Sequence, residues 1–101
     1  MSIVVNGIIH TDAATIEAMR EAIATMQSAS LAEPGCREYA FSVDLADPNV
    51  LRITECWDSM ADLEAHFATE HMAAFRAKMA EHPPRATDVT FFEAQAVNPP
   101  G

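Results

Sequence analysis

The stretch CREYAFSVDLADPNVLRITECW, residues 36–57, decides the fold. In its first half large apolar side chains alternate with polar or small ones, which is typical of a β-strand with one covered face. The tetrapeptide 46–49, Ala-Asp-Pro-Asn, is rich in turn-forming residues, and a second strand-like segment begins at Val50. The stretch therefore predicts a hairpin of two antiparallel strands, residues 36–45 and 50–57.

Alignment of the apolar side chains predicts the register of this hairpin. The expected pairs are Leu45–Leu51, Val43–Ile53, Phe41–Glu55 and Tyr39–Trp57. Cys36 and Cys56 then lie about four positions out of register, or roughly 13 Å along a strand. That separation exceeds the ~7 Å limit for a disulfide. We therefore expect both thiols to be reduced and the protein to be cytoplasmic.

The segment before the hairpin predicts a strand and a helix. Residues 3–10 are apolar on both faces, which indicates a covered strand. Thr11 and Asp12 can cap a following helix, and Glu33-Pro34-Gly35 ends it. The apolar stripe of this helix consists of Ile16, Met19, Ile23 and Met26.

The segment after the hairpin predicts an interrupted helix and a last strand. Ser59 and Asp62 have the spacing of a capping box, so a helix begins near Met60. Its stripe contains Leu63 and Phe67, a break is expected near Thr69, and Met72, Phe75 and Met79 continue the helical pattern. His82-Pro83-Pro84 ends that pattern, and residues 87–96 form a strand with Val89, Phe91 and Phe92.

The resulting order, β-α-β-β-α-β, predicts an α+β ferredoxin-like fold with a four-stranded antiparallel sheet and helices on one face. We expect one domain, residues 1–96, and a short C-terminal tail, residues 97–101. The first and last strands are apolar on both sides, which favours a homodimer that covers the open sheet face. The alternative is a monomer whose open face is wetted by Glu38, Ser42, Asp44, Arg52 and Thr54.

Composition excludes several classes of partner. Six basic and fifteen acidic side chains give a formal net charge of −9, which repels nucleic acid and anionic membranes. Apolar runs are far shorter than the roughly 18 residues of a membrane span, and no secretory signal is recognisable.

Several motifs for cofactors and catalysis are absent from the sequence. With three glycines there is no Gly-rich phosphate loop, and no nucleophile elbow is present. Neither the histidines nor the cysteines have a familiar metal-ligand spacing, so no metal is expected.

Polar residues on apolar faces are the candidates for chemistry. Asn6 interrupts an apolar strand and either orients a ligand oxygen or lies at a hydrated strand end. His66 follows Leu63 on the sheet-facing side of its helix and is either a base or a satisfied core residue. The break near Thr69 would let His71 approach the same cavity.

Glu55 and Trp57 share one face of their strand. Burial would raise the pKa of the Glu55 carboxyl, so this residue is either a proton acceptor or half of an ion pair. The candidate ion-pair partners are Arg37, Arg52 and Arg76. Trp57 is first a core anchor, but its indole N–H needs a partner and could donate to a ligand.

Five segments together resemble the antibiotic biosynthesis monooxygenase domain. They are Glu33–Cys36, Tyr39 in the next strand, Glu55–Ser59, Leu63–Phe67 and His71–Phe75. The resemblance covers about residues 3–95 and implies a dimeric α+β barrel with a pocket between helices and sheet. It also implies one of three activities, since members oxygenate quinol- or anthrone-like aromatics without cofactor, degrade haem or isomerise small metabolites.

The haem-degrading pattern fits poorly. Haem-degrading members look as if they carry an Asn on the first strand, a Trp on the second helix and an iron-binding His further along. Asn6 agrees, but His66 stands at the Trp position and Arg76 at the His position. The quinol-oxygenase branch, with two histidines around the Phe67–Glu70 turn, agrees better.

The favoured hypothesis is therefore a cofactor-independent monooxygenase that oxidises a small phenolic substrate with O₂. His66 or His71 would be the base, and Asn6 and the Trp57 indole would hold oxygens in a dry pocket. Substrate-binding residues would be Trp57, Tyr39, Glu55, Phe67 and Phe75. The alternatives are an isomerase or lyase that uses the same histidines, and a dimeric ligand-binding module without catalysis.

Overall fold

Four strands and three helices form the fold in a computed structural model, which describes residues 1–101. The elements are β1 Ser2–His10, α1 Ala13–Leu31, β2 Cys36–Val43, β3 Val50–Trp57, α2 Met60–Phe67, α3 Glu70–Glu81 and β4 Ala86–Ala94. All strand pairs are antiparallel, and their order across the sheet is β2-β3-β1-β4. The predicted ferredoxin-like α+β fold is confirmed.

Side-chain caps begin each helix where the sequence predicts it. Asp12 accepts from the Thr15 amide at 2.8 Å and caps α1, and Ser59 caps α2. Thr69 has two roles, because its hydroxyl accepts from the Met72 amide at 3.2 Å and donates to the His66 carbonyl at 2.8 Å. It therefore starts α3 while it satisfies the last turn of α2, and the predicted break is confirmed. None of the three helices combines the length and apolar character that crossing a bilayer requires.

The main core lies between the helices and one face of the sheet. The predicted stripe of α1 packs there, with Ile16, Met19 and Met26 buried. The buried cluster consists of Ile3, Val5, Met19, Met26, Tyr39, Trp57, Leu63 and Phe75. Residues 95–101 follow β4 without regular secondary structure.

The predicted register of the β2–β3 hairpin is wrong by two residues. Val43, not Leu45, pairs with Leu51, and Tyr39 pairs with Glu55. The chain leaves β2 early because Asp44 accepts from the Ala46 amide and pairs with Arg52 at 2.9 Å, which leaves Leu45 fully exposed. A shift of two keeps every side chain on its expected face, so the alternation of apolar residues could not reveal it.

The predicted separation of the cysteines changes with this register. Cys36 pairs with Trp57, so it is one position from Cys56 rather than four. Successive strand residues point to opposite faces, which puts the two thiols on opposite sides of the sheet. Both are free, and burial raises the pKa of Cys36 to about 11.

The turn between α1 and β2 depends on Gly35. Its φ of +79° lies in the left-handed region, and a β-carbon there would collide with the Asp62 carboxylate. We expect Gly35→Ala to lower the free energy of unfolding by about 1–3 kcal/mol, measured by urea denaturation. Gly101→Ala is the control, because Gly101 has φ +91° but nothing near its β-carbon. Equal stability of the two variants would contradict this role of Gly35.

Candidate active site

Three separate elements bring Glu33, His66 and His71 together. Glu33 lies in the α1–β2 turn, His66 in the last turn of α2 and His71 in the first turn of α3. The Glu33 Oε2 atom is 2.6 Å from His66 Nδ1 and 2.7 Å from His71 Nε2. The predicted approach of the two histidines around the Thr69 break is observed, and a carboxylate joins them.

The hydrogen positions in this cluster follow from the carboxylate. An ionised carboxylate only accepts hydrogen bonds, so His66 Nδ1 and His71 Nε2 both carry a hydrogen. The lone pairs of the neutral rings are then on His66 Nε2 and His71 Nδ1. His66 Nε2 is buried and has no hydrogen-bond partner. Such an orphaned buried acceptor is uncommon and calls for a functional explanation.

The cluster extends from the interior to the surface. The His66 side chain is 1% exposed, Glu33 11% and His71 22%. His71 also borders a surface groove between α1 and α3. A hydrogen-bonded path of three side chains therefore connects a buried imidazole with solvent.

Aromatic rings surround His66. Its ring centroid lies 4.7 Å from Trp57, 5.4 Å from Tyr39 and 5.7 Å from Phe67. These are three of the predicted substrate-binding residues. Phe75, a fourth, packs against Phe41 at 5.7 Å instead of against His66.

Glu55 is buried against Trp57 without an arginine or lysine partner. Its Oε1 accepts from the Trp57 indole N–H at 2.9 Å. The expected ion pair with an arginine is wrong, because Arg37 pairs with Asp58 and Arg52 with Asp44 across exposed surface, and the Arg76 guanidinium lies over the Phe67 ring. Burial raises the pKa of Glu55, partly offset by the indole N–H and the nearby His66.

The raised pKa of Glu55 predicts a pH-dependent stability. The native state holds this proton more tightly than the unfolded chain, so the contribution is present at low pH. It is lost as pH rises from the ordinary value of 4.5 through the raised pKa. We expect Glu55→Gln to be more stable than wild type above that window and equal to it below. Urea denaturation across pH measures this, and a constant difference at every pH would contradict it.

Asn6 does not join the histidines. Its side chain is exposed on the open face of the sheet, where its Oδ1 accepts from the Thr54 hydroxyl at 3.1 Å. Val5 and Gly7, its neighbours, face the helices, so alternation along β1 turns Asn6 away from them. The predicted convergence of Asn6, His66 and His71 on one cavity is not observed.

The dry pocket predicted beside the histidines is absent. Trp57, Leu63 and His66 are among the largest fully buried side chains and fill the space. A small apolar cleft of about 30 Å³ does lie between helices and sheet, bordered by Met19, Leu51 and Phe75. Neither His66 nor His71 lines it, because it opens toward the other end of the sheet.

The Glu33–His66–His71 cluster also has the composition of a metal site. One ligand atom from each of these residues lies within 4.8 Å of the others. Sequence reasoning gave Glu33 no role in the site, and named it only at the end of α1 and in one family-like segment. It is 33 positions from His66 and 38 from His71, and no spacing pattern links residues so far apart.

Comparisons with known proteins agree on one family. The family described as antibiotic biosynthesis monooxygenase has a sequence model that matches residues 1–78. The protein named "Probable quinol monooxygenase YgiN" from Escherichia coli K12 is 36% identical over 67 residues, which cover 58% of this chain and 64% of that protein. The chain thus spans less than two thirds of the length of the curated relatives it matches.

Solved structures resemble the whole fold. A Deinococcus radiodurans protein that carries the same family name has a TM-score of 0.87 and 25% identity, over 98% of this chain and 99% of that one. Rv0793 from Mycobacterium tuberculosis has a TM-score of 0.84 and 23% identity, over 96% of this chain and 98% of that one. Both similarities extend through β4, beyond the last residue that the family's sequence model matches.

Proposed function

The chain belongs to the antibiotic biosynthesis monooxygenase family, and from this membership we propose that it oxidises a small phenolic or quinol-like aromatic with O₂, without metal or flavin. The observation that carries the proposal is the shared Glu33 oxygen. It fixes two imidazoles from different helices beside a group of aromatic rings. The name of the Escherichia coli relative adds support for a quinol as the class of substrate.

His66 is the proposed base. Glu33 holds the hydrogen on Nδ1, which leaves the Nε2 lone pair free to accept the proton of a phenol or enol. A carboxylate that orients a histidine in this way also stabilises the imidazolium that forms. The orphaned Nε2 atom gains its missing partner when the substrate hydroxyl binds.

Glu33 would carry the proton onward. Once His66 is doubly protonated, its Nδ1 proton can pass along the 2.6 Å hydrogen bond to Glu33. His71 donates from Nε2 to the same oxygen at 2.7 Å, so it holds Glu33 in place, and the proton would leave to water from Glu33, which is 11% exposed. Glu33 is in this scheme the relay residue and His71 a positioning residue, while His66 touches the substrate.

The oxidation itself needs no further reductant. The substrate anion passes one electron to O₂, and recombination of the two radicals forms a C–O bond as a hydroperoxide. Loss of water then leaves a carbonyl, so that one oxygen atom enters the product and the other leaves as water. The substrate loses four electrons in total, and O₂ gains the same four.

Access to His66 would run past Phe67. Phe67 is the one ring of the three around His66 that is substantially exposed, at 38%, and it lies at the end of α2. Movement of this side chain would uncover the imidazole, whereas Tyr39 and Trp57 are fixed in the core. The substrate ring would take the place of Phe67 against His66 and Phe91, the two rings that Phe67 contacts.

Oxygen uptake with a panel of quinols and anthrones tests the proposal. The protein is freed of metal with a chelator, and each substrate is tested with and without O₂. We expect uptake of one O₂ per substrate, with product only under air. Equal turnover without O₂ would indicate an isomerase or lyase, and thermal stabilisation by a panel member without turnover would indicate a binding module; both would overturn the proposal.

We also propose that two copies pair through the open face of the sheet. Phe92 is 47% exposed there, and Val4 and Ile8 of the neighbouring β1 lie on the same side. Light scattering is expected to give twice the chain's 11.0 kDa. Phe92→Glu should give monomers, whereas Leu45→Glu, in the exposed β2–β3 loop, should remain dimeric. A monomeric wild type would contradict the pairing.

A further inference from the structure

We propose that Glu33, His66 and His71 form a binding site for a divalent first-row cation of the Zn²⁺ class. Two imidazole nitrogens and one carboxylate oxygen converge within 4.8 Å. Two histidines and one carboxylate are a ligand set that binds Zn²⁺ while it leaves at least one position open. This inference goes beyond the proposed oxidation and does not depend on it.

The distances require only a small adjustment. Ligands of a tetrahedral Zn²⁺ with bonds of about 2.1 Å lie roughly 3.4 Å apart, whereas the observed N···O distances are 2.6 and 2.7 Å. The carboxylate therefore needs to withdraw by less than about 1 Å from each ring, and the two ring nitrogens, now within 4.8 Å of each other, need to reach the same separation of roughly 3.4 Å. Glu33 lies in a turn rather than in a helix or strand, so its side chain can make this movement without disturbing a hydrogen-bonded ladder.

The imidazole rings of His66 and His71 are already ordered before a cation binds. His66 is fixed by its contacts with Trp57, Tyr39 and Phe67, which set the direction of Nδ1. His71 is placed by the first turn of α3, which the Thr69 cap begins. Because these ligands are already ordered, little conformational entropy is lost when a cation binds.

A cation can reach the site from the surface and is attracted by the charge of the chain. His71 is partly exposed and borders the groove between α1 and α3. The formal net charge of −9 raises the local concentration of cations, and Glu33 supplies a negative ligand. Glu55, buried near His66, adds a second acidic group.

The His66 imidazole cannot bind a cation and act as the proposed base at the same time. When the cation binds His66 Nδ1, the remaining hydrogen of the neutral ring is on Nε2, which can then no longer accept a proton. The cation would therefore inhibit the proposed oxidation. Since Nε2–H finds no acceptor in this position, the second shell of the site is incomplete, and affinity is expected to be below that of structural zinc sites.

The test is a titration of tag-free, chelator-treated protein with Co²⁺ and Zn²⁺ in the absence of substrate. Calorimetry is expected to give one cation per chain, with visible d–d absorption of bound Co²⁺ that Zn²⁺ removes. Saturating Zn²⁺ should raise the melting temperature of wild type. His71→Ala and Glu33→Gln should weaken binding by more than about 100-fold, the upper end of what loss of an outer-shell partner costs.

His10→Ala and His82→Ala are the matched controls, since both replace a histidine outside the cluster. They are expected to bind like wild type. Three results would overturn the assignment. They are no binding to wild type, loss of binding in both controls, and binding that survives in His71→Ala and Glu33→Gln. None of these outcomes bears on oxygen uptake by the metal-free protein, so the two proposals stand or fall separately.

Discussion

Replacement of His66 by alanine is expected to lower the rate of oxygen uptake by about 10²–10⁴-fold, the usual contribution of a positioned general base. The residue is buried beside Trp57, and its hydrogen bond to Glu33 orients the Nε2 lone pair. The rate is measured with an oxygen electrode at saturating quinol. A rate within a factor of about two of wild type would contradict the assignment of His66 as base.

Stability has to be separated from chemistry in this variant. His66→Ala also leaves a cavity in the core, which itself costs about 2–4 kcal/mol. His66→Phe keeps most of the ring volume and should restore stability without restoring activity. His10→Ala, at an exposed position, should leave both quantities unchanged. If His66→Phe were as active as wild type, the imidazole would have no role in the reaction.

Replacement of Trp57 by alanine is expected to have the largest effect on folding, a loss of about 3–5 kcal/mol. Trp57 is fully buried, contacts Tyr39 and His66 and donates to Glu55, so its removal leaves both a cavity and a buried carboxyl without a donor. Against a typical total of about 5–15 kcal/mol, this loss threatens the folded state.

Urea denaturation measures the effect of Trp57→Ala, and a milder variant keeps the test informative if the protein fails to fold. Trp57→Phe keeps an aromatic ring but removes the N–H, so it should cost less and raise the pKa of Glu55 further. Val97→Ala in the exposed tail is the control. A loss below about 1 kcal/mol in Trp57→Ala would contradict the central packing role of this residue.

Local chemistry made the elements predictable. Asp12, Ser59 and Thr69 each cap a helix through their own side chains, so the sequence near them suffices to predict where a helix begins. The break at Thr69 likewise follows from neighbouring residues. The strand β3 was predicted with its observed bounds, since a turn and a helix cap delimit it on either side.

Contacts between residues far apart in the sequence were harder to predict. The two-residue register shift preserves the faces of the strands, and it depends on the bonds that Asp44 makes in the loop. Asn6 was assigned to the pocket because it interrupts an apolar strand, although alternation from the buried Val5 turns it to the open face. Glu33 joins the histidines only when the α1–β2 turn is placed against the α2–α3 break.

The dry pocket expected beside the histidines could not be predicted for a different reason. Apolar and aromatic residues at these positions are compatible with a lined cavity and with a filled core, because the same side chains serve both. In the structure Trp57 and Leu63 occupy the space. Which of the two arises depends on how side chains interdigitate in three dimensions, which no pattern along the chain encodes.

The most direct measurement for the account is oxygen uptake by metal-free Glu33→Gln beside wild type, with the same quinol. Glutamine keeps the shape of the side chain but carries no negative charge. It therefore cannot stabilise a charged His66 or offer both rings an ionised oxygen as hydrogen-bond acceptor. The account predicts uptake by wild type and a loss of about 100-fold or more in the variant, with both proteins equally folded by circular dichroism. Equal rates in the two proteins, or no uptake by wild type with any quinol or anthrone, would contradict it.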